Sequence, residues 1–171
     1  MQHPRRISRL AALAAAAALL WGAPGAAEAG TWSVPTTVTV KDTADLSNNE
    51  LEDALMVEIN EARASNGLRK IWKFDGCTDT LAERWGARIA RTGRFEHRDQ
   101  NEVIRKCDNA WAGETLVRGV GLTPAVMVDL WLDSPGHREI LLSPRARRAG
   151  VAVEQDAQGR MIGVVNLVRR R

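Results

Sequence analysis

The feature that most constrains this chain is the order of its local signals: helix starts come first and a hairpin comes last. Ser47-Asn48-Asn49-Glu50 has the S-x-x-E form in which a hydroxyl and a carboxylate satisfy free backbone N–H groups at a helix start. Leu51, Leu55, Ile59 and Ala62 then recur at helical spacing until Gly67. Residues Leu68, Ile71, Trp72 and Phe74 supply apolar anchors in a short linker. Thr80-x-x-Glu83 reads as a second start, with Leu81, Trp85 and Ile89 on the buried face and Gly93 as the stop. Asp99-x-x-Glu102 opens a third, shorter helix with Val103 and Ile104 inward, ending near Cys107. Gly113 to Val117 reads as extended. Thr123-Pro124 combines an N-cap with proline at the first helical position and opens a helix through Val126, Met127, Leu130 and Trp131. Ser134-Pro135-Gly136 reads as its break, with a short turn from His137 to Leu142. Val151 and Val153 alternate, Gln158-Gly159 turns, and Met161 to Val168 returns as an apolar strand, which is a hairpin. Helices first, a strand between and a hairpin last predict an α+β domain, a small antiparallel sheet covered by helices.

The N-terminus decides where such a domain works. Arg5, Arg6 and Arg9 precede an apolar run from Leu10 to Trp21, and Ala27-Glu28-Ala29 follows. That order reads as a secretory signal peptide over residues 1–29, cleaved after Ala29 by the general secretory route, with twin-arginine export as the alternative. The run is short of the roughly 20 apolar residues a spanning helix needs, so no membrane segment is expected after cleavage. Residues 30–46 read as an extended lead-in and 47–171 as the single domain. Cys77 and Cys107 both fall in the exported part, and an even count in an oxidising compartment argues for one disulfide. Closing a loop of about 30 residues stabilises a fold by roughly 3–4 kcal/mol on the chain-entropy model.

The whole chain carries +3, of which the signal segment takes a net +2, so the exported body is nearly neutral. Arg145, Arg147, Arg148 and the Arg169–Arg171 tail read as solvated surface, because Asp and Glu are spread throughout the remainder. A nucleic-acid partner would call for positive charge concentrated on one face, and none is expected. The expected partners are a small ligand or an envelope component, met by a monomer in the secreted, periplasmic or cell-envelope space.

Candidate chemistry gathers on few residues. His3 leaves with the signal peptide, which leaves His97 and His137. Glu114 lies between them in Trp111-Ala112-Gly113-Glu114-Thr115, at the start of a strand. Two loop imidazoles and a carboxylate are the raw material of a metal cup or an acid–base group. Their intervals are long and no H-E-x-x-H is present, so a structural role, each histidine satisfied by a nearby partner, stands beside the functional one. Ser134 and His137 lack a G-x-S-x-G elbow, and Gly119-Val120-Gly121 lacks the third glycine of a dinucleotide loop. Trp85 and Trp131 read as core, and Trp111 as a cavity rim.

Several segments resemble the superfamily of cysteine-rich secretory proteins, antigen 5 and pathogenesis-related proteins, the CAP or SCP domain, in its compact bacterial branch. Asn60-Glu61-Ala62-Arg63 is similar to the family's N-x-x-R, Phe95-x-His97 to its first histidine segment, and Gly113-Glu114-Thr115-Leu116 to its G-E-N-[IL] strand. Trp131-x-x-Ser134-Pro135-Gly136-His137-Arg138-x-Ile140-Leu141 resembles its W-x-x-S-P-G-H-R-x-N-I-L signature, with Gly150-Val151 after it. The likeness runs from about Leu51 to Val168. It implies an α-β-α sandwich with a central cavity lined by His97, Glu114, His137 and Ser134, and a structural trio of Asn60, Arg63 and Trp131. Some relatives hold a divalent metal there, so Zn²⁺ or another divalent cation on His97, Glu114 and His137 is the cofactor implied. Ser134 stands where many members carry a second glutamate. Thr115, Glu139 and Val165-Asn166-Leu167 depart from the family's pattern, and the first two remove asparagine amides from the cavity.

Three readings follow. The first is a binding or envelope-interaction protein whose His-Glu-His cavity takes a metal or small ligand without turnover. The second is a metal-assisted hydrolase of envelope polymers or peptides, with Glu114 as ligand or base and Ser134 orienting water. The third is a cavity that only braces the fold, with function carried by surface partners.

Overall fold

The computed structural model describes residues 30–37 and 45–171. The signal peptide expected over residues 1–29, and residues 38–44 of the lead-in, lie outside the described residues. Helix α1 (Asn48–Ser65) begins at Ser47, whose hydroxyl accepts from the Glu50 N–H while the Glu50 carboxylate accepts from the Ser47 N–H. Helix α2 (Gly76–Thr92) ends at Gly93, which adopts φ 70°, the left-handed conformation that glycine enters without a Cβ penalty. Helix α3 spans Gln100–Lys106, strand β1 Asn109–Gly119, helix α4 Pro124–Asp133, helix α5 Pro135–Leu141, strand β2 Arg148–Gln155 and strand β3 Met161–Arg170. Among the described residues no helix is long and apolar enough to cross a membrane.

Two boundaries differ from the reading of the sequence. Helix α2 starts before Thr80, because Asp75 caps it by accepting from both the N–H and the hydroxyl of Thr78. Thr80 is already interior, and its hydroxyl donates back to the Gly76 carbonyl. Ser134-Pro135-Gly136 ends α4 and also starts α5, so the segment read as a turn is a short helix with proline at its start.

The sheet has the order β1-β3-β2, and both neighbouring pairs are antiparallel. Strand β3 is therefore central, and both its faces are buried. Val165 and Leu167 join Val151 and Val153 against α1 and α4, around Leu55, Met56, Ile59, Met127 and Trp131. Ile162 and Val164 join Ala152 and Leu116 on the opposite face, against Ala82 and Ile89 of α2. Val168 continues that face to Leu81, Val103 and Cys107. Alternate residues of one strand thus serve two helical layers, and the molecule is an α-β-α sandwich.

Polar side chains lock the layers together. Asn60 donates to the Ile71 carbonyl at 2.9 Å and accepts from its N–H at 2.7 Å, both in the interior. Arg63, fully buried, donates to the carbonyls of Arg69, Leu141 and Ser143, which ties α1 to the segment after α5. Cys77 in the first turn of α2 is bonded to Cys107 at the end of α3, with Cα atoms 5.6 Å apart. The lead-in pairs with the linker, Ser33 bridging Lys73 and the Val34 N–H donating to the Trp72 carbonyl. Of the linker's apolar anchors, Ile71 and Phe74 are buried, whereas Trp72 is exposed beneath the Lys70 ammonium. Three of the arginines read as solvated surface are ion-paired: Arg170 and Arg148 reach the buried Asp75 carboxylate at 2.8 and 3.5 Å, and Arg171 reaches Asp108 at 3.4 Å.

Candidate functional site

Strand β1 lies at an edge of the sheet, so its margin is reached from both helical layers. His97 comes from the loop between α2 and α3 on one side, and His137 from the first turn of α5 on the other. Glu114 rises from β1 between them. All three, with Ser134, line one open cavity of about 490 Å³. The two imidazole rings stand 5.7 Å apart, centroid to centroid, tilted by 47°.

Glu114 is almost wholly buried and carries the order of the site. Its Oε1 accepts from His97 Nδ1 at 2.8 Å and from the Arg98 N–H at 2.9 Å. A carboxylate can only accept, so the proton of this pair sits on Nδ1 and Nε2 faces away from Glu114. Burial pushes the Glu114 carboxyl upward, opposed by the Arg98 N–H and by His97. Its second oxygen, Oε2, is buried, as is the side chain of Asn166, the residue opposite it on β3, whose amide also lowers the Glu114 carboxyl. Desolvation, then the neighbouring His97, lowers the His137 pKa, so that ring is neutral near pH 7. No hydrogen bond engages the His137 ring among the described residues.

The metal cup expected from His97, Glu114 and His137 does not fit this geometry. Glu114 spends its reachable oxygen on His97 and Arg98, and therefore orients an imidazole instead of presenting a third ligand. Among the described residues, no group of three or more His, Cys, Asp or Glu side chains stands close enough to hold a metal ion. Ser134 sits at the N-cap of α5 with no side-chain capping bond, and its hydroxyl hydrogen-bonds neither imidazole. Asn60, Arg63 and Trp131 lie in the interior, away from the cavity lining.

Trp111 lines the cavity, as its position beside Gly113 suggested. Gly113 keeps that wall thin: a Cβ there would meet Ile140 at 3.0 Å and Trp111 at 3.1 Å. Sequence reasoning missed Arg145 and Gln100, which also line the cavity. The Arg145 guanidinium stacks on the Trp111 indole at 4.8 Å. Only folding reveals that stacking, since the two residues lie on separate elements.

A scan against family models matches residues 57–167 to CAP, the cysteine-rich secretory protein family. No curated protein sequence matches. Among solved structures, an outer surface protein of Borrelia burgdorferi superposes with a TM-score of 0.64 at 20% identity, over 74% of this chain and 97% of that one. An extracellular protein of Bacillus anthracis containing an SCP domain gives 0.64 at 19% identity, over 77% of this chain and 44% of that one, so this chain spans less than half its length. A cysteine-rich secretory protein of Staphylococcus aureus gives 0.58 at 16% identity, over 74% and 40%. At these identities the likeness establishes the fold.

Proposed function

This chain belongs to the CAP family of cysteine-rich secretory proteins, and on that premise we propose that it is a binding protein of the extracellular or envelope space. Its cleft takes a small polar ligand without turning it over. One observation carries the reading: two imidazoles converge on one open cavity with hydrogen-bonding capacity unspent, one oriented by a buried carboxylate and the other neutral and unpartnered. A ring held neutral offers both an N–H donor and a lone pair, which suits hydroxyl, amide and carboxyl groups. The volume falls within the roughly 300–1,000 Å³ range usual for small-ligand sites. The words "outer surface" and "extracellular" in the descriptions of the Borrelia and Bacillus proteins support the location.

The hydrolase reading asks Glu114 to act as metal ligand or base, and that carboxylate is already committed to His97 and Arg98. Saturation-transfer NMR against a panel of small sugars, amino acids and carboxylates tests the binding reading, with a His97→Ala/His137→Ala variant alongside. The expected outcome is at least one ligand whose signal disappears in the variant; a panel silent against both proteins would refute the reading. In a parallel Zn²⁺ titration the expected result is no saturable uptake at micromolar metal, because two imidazoles supply neither a third ligand nor negative charge. Saturable uptake lost in the same variant would restore the metal site.

A further inference from the structure

The cavity at His97 and His137 does not end at Arg145. A second lobe of about 450 Å³ lies on the far side of α5, lined by Pro135, Arg138, Leu142 and Pro144, and it shares Glu139 and Arg145 with the first. The two lobes therefore form one groove with a saddle at these two residues. The saddle is charged and unspent. Among the described residues the Arg145 guanidinium makes no ion pair or hydrogen bond, its one contact being the Trp111 indole. The Glu139 carboxylate likewise has no partner, and the two do not pair with each other. Stacking on an indole restricts the guanidinium without consuming its N–H donors, which leaves the planar fork free for a carboxylate.

We infer that this groove binds a linear acidic glycan, whose carboxylate sits on Arg145 at the saddle and whose neighbouring hydroxyls donate to Glu139 and reach His137 in the first lobe. The inference rests on the binding reading above and names its ligand class. Length follows from the two joined lobes, and acidity from the free guanidinium, since Arg138 adds a second cation to the far lobe while Glu139 is the groove's one unpaired acid. A glycan is favoured over a peptide by the far lobe's walls. They are the side chains of a helix and the turn after it, with no strand edge to which a peptide backbone could add. Planar polar groups around an indole are in turn matched to a ring bearing hydroxyls.

The test is calorimetric titration of the whole protein with three probes: tri-galacturonic acid, its neutral methyl ester, and an acidic tripeptide. The expected result is binding of the acid trisaccharide that weakens with added salt and exceeds binding of the ester by about tenfold, the size of one charge-assisted contact. Arg145→Ala should abolish that tenfold preference, and Arg145→Lys, which keeps the charge and loses the fork, should retain part of it. Both variants sit on the surface, and circular dichroism checks that they are folded. Equal binding of acid and ester, or an unchanged preference in Arg145→Ala, would overturn the role of Arg145 and leave the cleft reading standing. Preference for the tripeptide would overturn the glycan. Silence with all three probes would overturn the inference, whereas the binding reading falls only if the wider ligand panel is silent too.

Discussion

Raising the pH from 5 to 8 should destabilise this domain, and the reason lies on the sheet edge remote from the cleft. Strand β2 is the other edge of the sheet, and two of its N–H groups are accepted by helix carboxylates: Val151 by Asp79 at 2.9 Å and Val153 by Glu52 at 3.1 Å. Burial raises both carboxyls, Asp79 to about 6 and Glu52 to about 8, with Asp53, Asp75, Glu83 and Glu154 adding repulsion. None of the ion pairs among the described residues includes either carboxylate.

The sign follows from linkage. Both folded-state values lie above the unfolded ones of 3.8 and 4.5, so the stabilisation is full below about pH 4 and is lost as pH rises through 6 and then 8. Holding Asp79 at about 6 instead of 3.8 corresponds to about 3 kcal/mol. Glu52 nominally adds more, but it is partly open to solvent, and screening reduces its share to something comparable at most. A loss of about 3 kcal/mol corresponds to roughly 6–12 °C in Tm for a domain of this size. At the acid end Glu102 acts oppositely: hydrogen bonds from Arg98 and Lys106 lower it to about 2, so its contribution fades as pH falls below 4.5. The Tm maximum is therefore expected between about pH 4 and 4.5. Thermal unfolding followed by circular dichroism between pH 4 and 8.5, on the wild type and on Asp79→Asn and Glu52→Gln, reads this directly. Each variant should flatten the decline by its own share. A wild-type Tm constant from pH 5 to 8, or a decline of unchanged steepness in both variants, would refute the reasoning.

Other expectations follow from single contacts. Asn60→Ala strands the Ile71 N–H and carbonyl in the interior and should cost about 3 kcal/mol in urea unfolding, whereas an exposed asparagine such as Asn101 should cost under about 0.5. Gly150→Ala places a Cβ 2.5 Å from the Asp79 nitrogen and the Thr78 carbonyl carbon, both backbone atoms, so α2 must move off the sheet. A folded Gly150→Ala protein with wild-type Tm would contradict that packing. Replacing Cys77 and Cys107 together by alanine should lower stability by about 3 kcal/mol, measured by chemical unfolding against the oxidised protein. Glu114→Gln removes the carboxylate that orients His97, so the NMR signals of the His97 ring should shift at a fixed pH. Unmoved signals would separate the two residues.

Much of the fold was legible along the chain because its signals are local. The Ser47–Glu50 box, the Gly93 stop, the Thr123-Pro124 start and the Gln158-Gly159 turn each act within a few residues, and each is found where the pattern put it. The cysteine pair was legible from its even count. The convergence of His97, Glu114 and His137 was legible only through family motifs, since their long spacings carry no geometry. What the chain could not announce depends on distant partners. Asp75 outcompetes Thr80 as the cap of α2 because folding also sets it against Arg148 and Arg170. Glu114 Oε1 holds both His97 and the Arg98 N–H because the sandwich brings the loop before α3 onto β1. Arg145 belongs to the cleft because the turn after α5 folds it onto Trp111. Local propensity and periodicity are properties of neighbouring residues, so they survive in the sequence. The job a side chain performs is set by what crosses it in space, and that exists only once the layers have closed.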